Sequence, residues 1–277
     1  MHADLVSALR CPHCGGALRL VARTAACSLG HTVDLARQGY LNLLPTGSTG
    51  IKGDSAAMID ARADFLAAGH YAPIRDALIA QTPGAGLIVE VGAGTGYYLA
   101  GVVDARPGRT GLALDVSRYA ARRAAKVDPR IGSVVCDAWR ELPLQDGAAQ
   151  VLLNVFAPRN AAEMARVLAP GGTLLVVTPN QGHLSELVDV LGLVRVDEEK
   201  ERRLTDTLSG WFERTGSKAV EADLRLDNEA VRRLVGMGPS ARHTDPETLA
   251  ERVATLAEPA LVALSVTVST WQPVTPG

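Results

Sequence analysis

The first 31 residues carry two pairs of metal-binding side chains at the spacing of a small zinc module. Cys11 and Cys14 are separated by two residues, and Cys27 and His31 follow after a short interval. Thiolate and imidazole groups are the ligands that Zn²⁺ takes in structural sites, and four of them leave no position open for a substrate. A segment this small cannot bury a stable core alone, so metal binding would supply its folding free energy. The pattern predicts a zinc-binding module over residues 1–44.

The composition favours a folded protein that remains in the cytoplasm. Hydrophobic residues make up 47% of the 277 residues, which is enough to build a packed core. The N-terminus has no signal-peptide pattern, and no apolar run is long enough to span a bilayer. Without a secretion signal, the Cys-x-x-Cys spacing predicts reduced, metal-binding thiols, and the isolated Cys136 predicts a buried core thiol. We therefore expect a soluble cytoplasmic protein with no membrane partner.

From about residue 85 the sequence repeats a strand, a loop and a helix. Short apolar runs without alternation are typical of parallel strands that are covered on both faces. The predicted strands of this kind are Leu87–Val91, Gly111–Leu114, Ser133–Cys136, Val151–Val155 and Thr173–Val177. Near the C-terminus Leu264, Val266 and Val268 alternate with polar residues, which predicts a half-exposed antiparallel strand near an edge. The pattern indicates an α/β fold over residues 83–277.

Residues 45–82 are predicted to connect the two parts. The small residues of Pro45–Gly50 are typical of a flexible linker. Asp54 is a suitable cap for a helix that ends at Gly69, and Pro73 begins a second helix.

A glycine-rich loop directly follows the first strand of the α/β pattern. Its members are an acid, three glycines and a threonine, namely Glu90, Gly92, Gly94, Thr95 and Gly96. Glycine lets the backbone turn sharply and lets a ligand approach it closely. Asp115 and Asp137 end the next two strands, where a carboxylate can bind ribose hydroxyls, although Asp137 would equally serve as a helix cap. Since the carboxyl ends of parallel strands share one edge of a sheet, the sequence predicts a nucleotide-type cofactor site there.

Both NAD and S-adenosylmethionine use this layout, and two features favour S-adenosylmethionine. The loop has the compact form Glu-x-Gly-x-Gly-x-Gly rather than Gly-x-Gly-x-x-Gly. Leu168–Val177 contains a Pro-Gly-Gly turn that leads into a strand, and it resembles the fifth strand of class I methyltransferases. A dinucleotide enzyme remains the alternative for the loop.

Taken in order, these motifs resemble the bacterial 23S ribosomal RNA guanine-N1 methyltransferases, over nearly the whole length. Within that family the chain is most similar to the actinobacterial branch that confers macrolide resistance on producers of tylosin- or mycinamicin-type antibiotics. The segments that carry the resemblance are Cys11–Cys14, Gly30–Leu44, Gly53–Met58, Gly69–Pro73, Glu90–Tyr98, Asn154–Asn160 and Thr178–His183.

The resemblance implies a small N-terminal zinc-binding domain joined to a class I, Rossmann-like S-adenosylmethionine methyltransferase domain. It also implies a homodimer with an RNA cleft and a target guanine in the hairpin 35 loop of 23S ribosomal RNA. Cofactor contacts are implied for Tyr71, Gly94, Thr95 and His183. Packing at a helix start is the alternative role for Tyr71, and helix capping is the alternative for His183. Tyr98 is expected either to contact the cofactor or to pack in the core.

The segment after the fourth strand is the predicted place for the target base. Asn154–Pro158 loosely resembles the Asn-Pro-Pro-aromatic signature of base-amino methyltransferases. We expect Asn154 to hydrogen-bond the edge of an unpaired guanine and Phe156 to stack on its face, with a core position as the alternative for Phe156. An asparagine cannot act as a base, so the sequence does not identify the group that takes the N1 proton.

Basic residues of the zinc module are predicted to bind RNA. Residues 1–53 hold five basic side chains against two acidic ones, whereas the whole chain has a net charge of −2. The predicted RNA contacts are Arg10, Arg19, Arg23 and Arg37. No DNA partner is expected. Two other functions compete: a methyltransferase for a small molecule in antibiotic biosynthesis, and an RNA-binding protein that has lost catalysis, against which the intact loop argues.

Overall fold

The structure is a computed structural model that describes residues 1–45, 53–193, 199–242 and 245–274. The predicted linker lies outside the described residues except for Pro45. In the part of the chain that is described, no helix has the length and apolar character needed to cross a membrane.

Ten α-helices and eleven strands form the described residues, together with a short 3₁₀ turn at Pro239–Arg242. The N-terminal part contains α1 (Ala3–Ser7), β1 (Arg19–Val21), β2 (Thr24–Ala26), β3 (Thr32–Asp34) and β4 (Leu41–Asn42). The middle part contains α2 (Ala56–Ala67), α3 (Ala72–Gln81), β5 (Gly86–Val91), α4 (Tyr97–Asp104), β6 (Arg109–Asp115), α5 (Arg118–Ala124), β7 (Ile131–Val135), β8 (Ala149–Val155), α6 (Ala161–Val167) and β9 (Leu168–Pro179). The C-terminal part contains α7 (Ser185–Leu191), α8 (Lys200–Leu208), β10 (Phe212–Leu226), α9 (Asn228–Gly236), α10 (Pro246–Val253) and β11 (Ala260–Pro273).

The main sheet has eight strands in the order β10-β11-β9-β8-β5-β6-β7-β4. The strands from β9 to β4 pair in parallel, and β11 pairs antiparallel with both β9 and β10. The strand order reverses between β5 and β8, and ligands of open α/β sheets bind at the carboxyl ends of strands beside such a point. This topology confirms the predicted α/β class and all five predicted parallel strands, with boundaries that differ by a few residues.

Each face of the sheet is covered by its own hydrophobic cluster. One cluster joins the sheet to α2, α3, α4, α7 and α9, and it includes the fully buried residues Phe65, Ile74 and Leu99. The other joins the opposite face to α6, α8 and the N-terminal module. Burial on both faces explains why β5 to β9 have apolar runs without alternation.

The N-terminal module packs on the sheet instead of standing apart from it. Leu5, Val6 and Leu9 are buried in the same cluster as Leu112 of β6 and Val134 of β7. The short strand β4 adds to the outer edge of β7 in parallel register. We therefore propose the division at residue 44 as a boundary between motifs, across which the packing is continuous.

Two local predictions differ from the structure. The side chain of Ser55, not Asp54, caps α2 by accepting a hydrogen bond from the Met58 amide, because Asp54 pairs with Arg62. The sequence did not reveal β10, because this edge strand is exposed over most of its length and is rich in charged residues. The predicted C-terminal strand exists as β11, one position inside that edge.

The first residue of β6 ties together three chain segments beneath the sheet. Arg109 is 1% exposed, and its guanidinium donates three hydrogen bonds of 2.7–2.9 Å. The acceptors are the carbonyls of Thr82 at the end of α3, Gly84 in the loop between α3 and β5, and Val102 near the end of α4. The bonds to Thr82 and Val102 are buried, so in the folded protein those two carbonyls depend on the arginine for a partner.

Replacing Arg109 by methionine should destabilise the fold while a matched surface change does not. Loss of three hydrogen bonds, two of them buried, is expected to lower the free energy of unfolding by about 3 kcal/mol. Arg225→Met, on the exposed side of the edge strand, should change it by less than about 0.5 kcal/mol. Urea unfolding followed by circular dichroism measures both variants. Equal midpoints would contradict the structural role of Arg109.

Candidate functional site: a zinc ribbon and a cofactor edge

The four predicted zinc ligands converge at one point of the N-terminal module. Their ligand atoms all lie within 4.8 Å of one another. The Sγ atoms of Cys14 and Cys27 are 3.6 Å apart, and Nδ1 of His31 lies 3.4 Å from Sγ of Cys27 and 3.7 Å from Sγ of Cys11. A tetrahedron with zinc–sulfur bonds of about 2.3 Å has edges of about 3.8 Å. The donor set therefore fits Zn²⁺ with all four positions filled by protein.

Backbone hydrogen bonds close the turns that carry these ligands, and Nε of Arg10 adds a bond to the Gly15 carbonyl at 3.2 Å. The Cys11 amide donates to the Gly16 carbonyl at 2.7 Å, and the Cys27 amide donates to the His31 carbonyl at 3.1 Å. Each bond closes one of the two ligand-bearing turns. Cys136 lies outside the cluster and is buried, which confirms the predicted core thiol, and burial raises the pKa of that thiol.

Two of the four predicted RNA-binding arginines are engaged within the protein. Nη2 of Arg23 donates to the carbonyls of Leu35 and Ala36, at 3.3 and 2.9 Å. Arg10 pairs with Glu141 at 3.0 Å and with Asp146 at 3.5 Å, so it links the zinc module to the loop after β7. Arg19, Arg23 and Arg37 are exposed. The basic surface of the module therefore depends on these three residues.

The glycine loop lies between the carboxyl end of β5 and the start of α4. Gly92, Gly94 and Gly96 have φ angles of +73°, +53° and +78°, in the left-handed region that favours glycine. A Cβ on Gly92 would lie 2.5 Å from Cβ of Ala157 in the turn after β8. The absence of a side chain at Gly92 thus lets the two chain segments meet at the strand-order reversal. Thr95 lies in the same loop and is 6% exposed.

Two of the predicted acids shape the loop. Asp115 accepts hydrogen bonds from the amides of Gly94 and Ser117, each at 2.8 Å. Glu90 is 1% exposed and accepts a bond from the Leu99 amide at 3.1 Å, which ties β5 to α4. Burial raises the pKa of the Glu90 carboxyl to about 8, although the Leu99 bond acts in the opposite direction. The Glu90 carboxyl therefore holds backbone at this edge.

The third acid forms a turn of its own. Asp137 accepts a hydrogen bond from the Trp139 amide at 3.0 Å and lies 3.5 Å from Nε of Arg140. Its carboxylate is nevertheless at the strand edge where the sequence predicts it, beyond β7.

An aromatic cluster closes the other side of the loop. Tyr71 is buried, and its Oη lies 3.4 Å from Nε2 of His183. The Ser265 amide donates to Nδ1 of His183, so in the neutral ring Nε2 carries the hydrogen that faces Tyr71. The ring of Phe156 is nearly parallel to that of His183, with centroids 6.1 Å apart. The structure thus brings together Tyr71, Phe156 and His183, which are far apart in the sequence.

Phe156 and Tyr98 differ in their exposure. Phe156 has a φ angle of +52° and is 43% exposed, an unfavourable backbone conformation for a large side chain whose ring meets solvent. Tyr98 is buried at the start of α4, and burial raises the pKa of its hydroxyl. Tyr98 therefore packs in the core, which is one of the two roles predicted for it. The ring of Phe156, in contrast, is exposed and available to a ligand.

Arg62 is a site residue that the sequence did not reveal. Its Nη1 lies 3.0 Å from the position of a Cβ on Gly94, so a guanidinium is placed over the glycine loop. Nη2 pairs with Asp54 at 2.8 Å and donates to the Met237 carbonyl at 2.7 Å. A single arginine in a helix that follows a linker has the same sequence pattern as an ordinary surface residue, so no signal distinguished it.

The carboxyl edge thus combines a loop of left-handed glycines, a ribose-type acid, a cationic side chain and an aromatic wall. These features fit S-adenosylmethionine, which carries an adenosine, a carboxylate and a sulfonium. Together with the strand order and the zinc cluster, they define a class I S-adenosylmethionine-dependent methyltransferase that carries a structural zinc ribbon.

Comparisons with known proteins agree with this class. Residues 9–48 match the family described as RlmA, N-terminal, a zinc ribbon, and residues 89–176 match the methyltransferase domain family. A solved complex of the Haloferax volcanii Trm112 methyltransferase activator with a putative methyltransferase matches 82% of this chain and 100% of that chain, with a TM-score of 0.55 and 18% identity. That likeness concerns the fold alone.

Two relatives align over 99% of this chain with 50% identity. One is a putative 23S rRNA (guanine-N1)-methyltransferase of Micromonospora griseorubida, matched over its whole length. The other is the 23S rRNA (guanine(748)-N1)-methyltransferase of Streptomyces fradiae, matched over 99% of its length. A putative enzyme of the same name from Bacillus subtilis is 28% identical over 85% of this chain. The chain belongs to the family of 23S ribosomal RNA (guanine-N1)-methyltransferases.

We predict that zinc binding requires Cys27 and does not require Cys136. Cys27→Ser should remove the bound Zn²⁺ and make residues 1–44 sensitive to protease, because the module loses its folding free energy. Cys136→Ser should retain the metal, since Cys136 lies outside the cluster. Elemental analysis by mass spectrometry and limited proteolysis provide the readouts. A Cys27→Ser protein that keeps its zinc would contradict the assigned ligand set.

Because Gly92 lies so close to Ala157, we predict that a methyl group added at Gly92 weakens cofactor binding. Gly92→Ala should weaken S-adenosylmethionine binding by about tenfold or more, because the new Cβ collides with Ala157 and displaces the loop. Gly171→Ala is the matched control, since Gly171 has a similar φ of +72° but no atom within 4 Å of its Cβ position. Calorimetric titration with the cofactor compares the two variants. Equal affinities of the two variants would contradict the role of the close approach at Gly92.

Proposed function

We propose that the chain methylates N1 of a guanine in the hairpin 35 loop of 23S ribosomal RNA and thereby confers macrolide resistance on its host. The observation that carries this proposal is the 50% identity, over nearly the full length, to a relative named for guanine 748 of 23S rRNA. The site residues described above are compatible with that reaction. We further propose that the enzyme is cytoplasmic and acts as a homodimer.

We propose that the cofactor is held by both walls of the carboxyl edge. Gly94 and Thr95 would offer backbone to it, Tyr71 and His183 would line the methionine end, and the Asp115 carboxylate lies where a ribose would bind. Arg62 lies against Gly94 of the loop and would attract the methionine carboxylate. Bound S-adenosylmethionine supplies an electrophilic methyl group on its sulfonium.

The target base would enter beside Phe156. N1 lies on the Watson–Crick edge of guanine, so the base must leave its stack or pair before it can react. The exposed ring of Phe156 offers a face on which the displaced base can stack, and its contact with Tyr71 and His183 fixes the orientation of the ring. Stacking then aligns N1 with the methyl group and excludes water from one side.

The zinc module would hold the RNA outside the reacting centre. Arg19 and Arg37 would contact phosphates on the exposed surface of the module, together with Arg23, whose guanidinium also donates to the Leu35 and Ala36 carbonyls. Arg10 fixes the module to the catalytic domain. A small-molecule substrate would have no use for this basic extension. No observation on the described residues favours that alternative.

Primer extension across 23S ribosomal RNA tests the proposed function directly. N1-methylguanine cannot form a Watson–Crick pair, so the modification stops reverse transcriptase. With protein and S-adenosylmethionine we expect one new stop in the hairpin 35 loop, and omission of the cofactor should abolish it. Because binding is electrostatic, the stop should weaken as salt rises. Absence of any stop on free RNA and on ribosomal particles, with cofactor binding confirmed, would overturn the proposal in favour of a small-molecule substrate.

A further inference from the structure

The turn after β8 holds an arginine that has no partner among the residues that the structure describes. No described residue forms a hydrogen bond or an ion pair with the side chain of Arg159. Its Nε is sealed from solvent without a partner, and the residue as a whole is half-buried. Burial alone lowers the pKa of this guanidinium below its ordinary value. Leaving a partly desolvated cation unpaired is costly, so a partner from outside the chain is the physical expectation.

The neighbours of Arg159 place it at the centre of the carboxyl edge. On one side, Ala157 and Pro158 approach Gly92 of the glycine loop. On the other side, the Asn160 side chain donates to the carbonyls of Trp139 and Arg140, at 3.3 and 3.2 Å. Arg159 therefore belongs to a segment that is fixed at both ends, between the methyl-donor loop and the turn after β7.

Asn154 in the same segment is less suited to touch a substrate. It is completely buried, and its Nδ2 donates to the Pro158 carbonyl at 2.8 Å. Its Oδ1 is sealed and has no partner. The asparagine thus holds the turn in place, whereas the two terminal nitrogens of Arg159 are not among the sealed atoms. Arg159 is thus the side chain of this turn whose donors are open to a partner.

Guanine presents the group that such a donor needs. O6 is an acceptor next to N1, and it is also one of the two guanine atoms, with N7, to which arginine most often donates. When N1 reacts, its proton leaves and negative charge develops on O6. A guanidinium positioned in advance at O6 stabilises that charge without reorganisation of solvent.

We propose that Arg159 is a catalytic residue that donates hydrogen bonds to O6 of the target guanine during methyl transfer. The N1 electron pair forms the bond to the methyl carbon, the carbon–sulfur bond breaks with its electrons remaining on sulfur, and the N1 proton goes to water. This role rests on the proposed function, because it requires a guanine as substrate. With this role the protein needs no general base, because stabilising O6 makes the N1 proton acidic enough to leave to solvent.

Single-turnover methylation of 23S ribosomal RNA at saturating cofactor tests the proposal. We expect Arg159→Gln to lower the rate constant by about 100-fold, the usual effect of removing one donor to a developing oxyanion. Arg159→Lys should retain part of the rate, because lysine keeps the positive charge but lacks the planar pair of donors of the guanidinium. The matched control is Arg225→Gln, which removes one charge from the exposed edge strand β10 and should react at the normal rate. Cofactor affinity and melting temperature should be unchanged in all three variants.

Two further readouts separate chemistry from structure. Loss of the O6 donor should shift the rising limb of the pH–rate profile of Arg159→Gln to higher pH, since N1 then needs more hydroxide to lose its proton. RNA with 6-thioguanine at the target should reduce the deficit of Arg159→Gln, because the N1 proton of the thio base is more acidic. A merely structural arginine would change neither result.

The outcomes distinguish this proposal from the one on which it rests. Wild-type protein that gives no stop would overturn the proposed function itself. A normal wild-type stop together with a normal rate and pH profile for Arg159→Gln would overturn only the role of Arg159. If Arg159→Gln does not fold, Arg159→Lys decides: a slower rate at unchanged melting temperature supports the role, and a wild-type rate overturns it.

Discussion

The contact between Gly92 and Ala157 is the constraint on which the rest of the site depends. At this point the strand order reverses, and the loop after β5 must meet the turn after β8 with no side chain between them. The contact brings the glycine loop together with the turn that we propose as the place for the target base. A single extra methyl group would separate them. The glycine is therefore required by the reaction geometry as well as by its positive φ.

Glu90 and Asp115 organise the backbone at this edge, and positive and aromatic groups lie beside them. Glu90 holds the start of α4, and Asp115 holds both the glycine loop and the turn before α5. Desolvation raises the pKa of both carboxyls. Neither is a convenient acceptor for the N1 proton while it is engaged in this way. A partnerless arginine in the opposite turn suggests that the site works by stabilising charge on the base instead of by removing its proton.

The zinc ribbon packs against the methyltransferase domain and shares its core. Its apolar residues share a cluster with β6 and β7, its last strand extends the sheet, and Arg10 ties it to the loop that follows β7. The sequence predicted the metal ligands and the parallel strands because both depend on local spacing and on continuous apolar runs. It did not predict β4, which has two residues, or β10, whose charged pattern is that of a solvent-facing segment. Arg62 was missed because its helix has no distinctive motif.

The sequence by itself determined the ligand set of the zinc site, the α/β class, the glycine loop and the family, since each is carried by residue types at fixed short spacing. The tertiary structure alone decided which distant residues share the site. Tyr71, Phe156 and His183 meet only because three different chain segments end at one sheet edge. It also decided that Asn154 is sealed while Arg159 is left without a partner. Burial and pairing of polar groups depend on contacts between segments, and no local pattern encodes them.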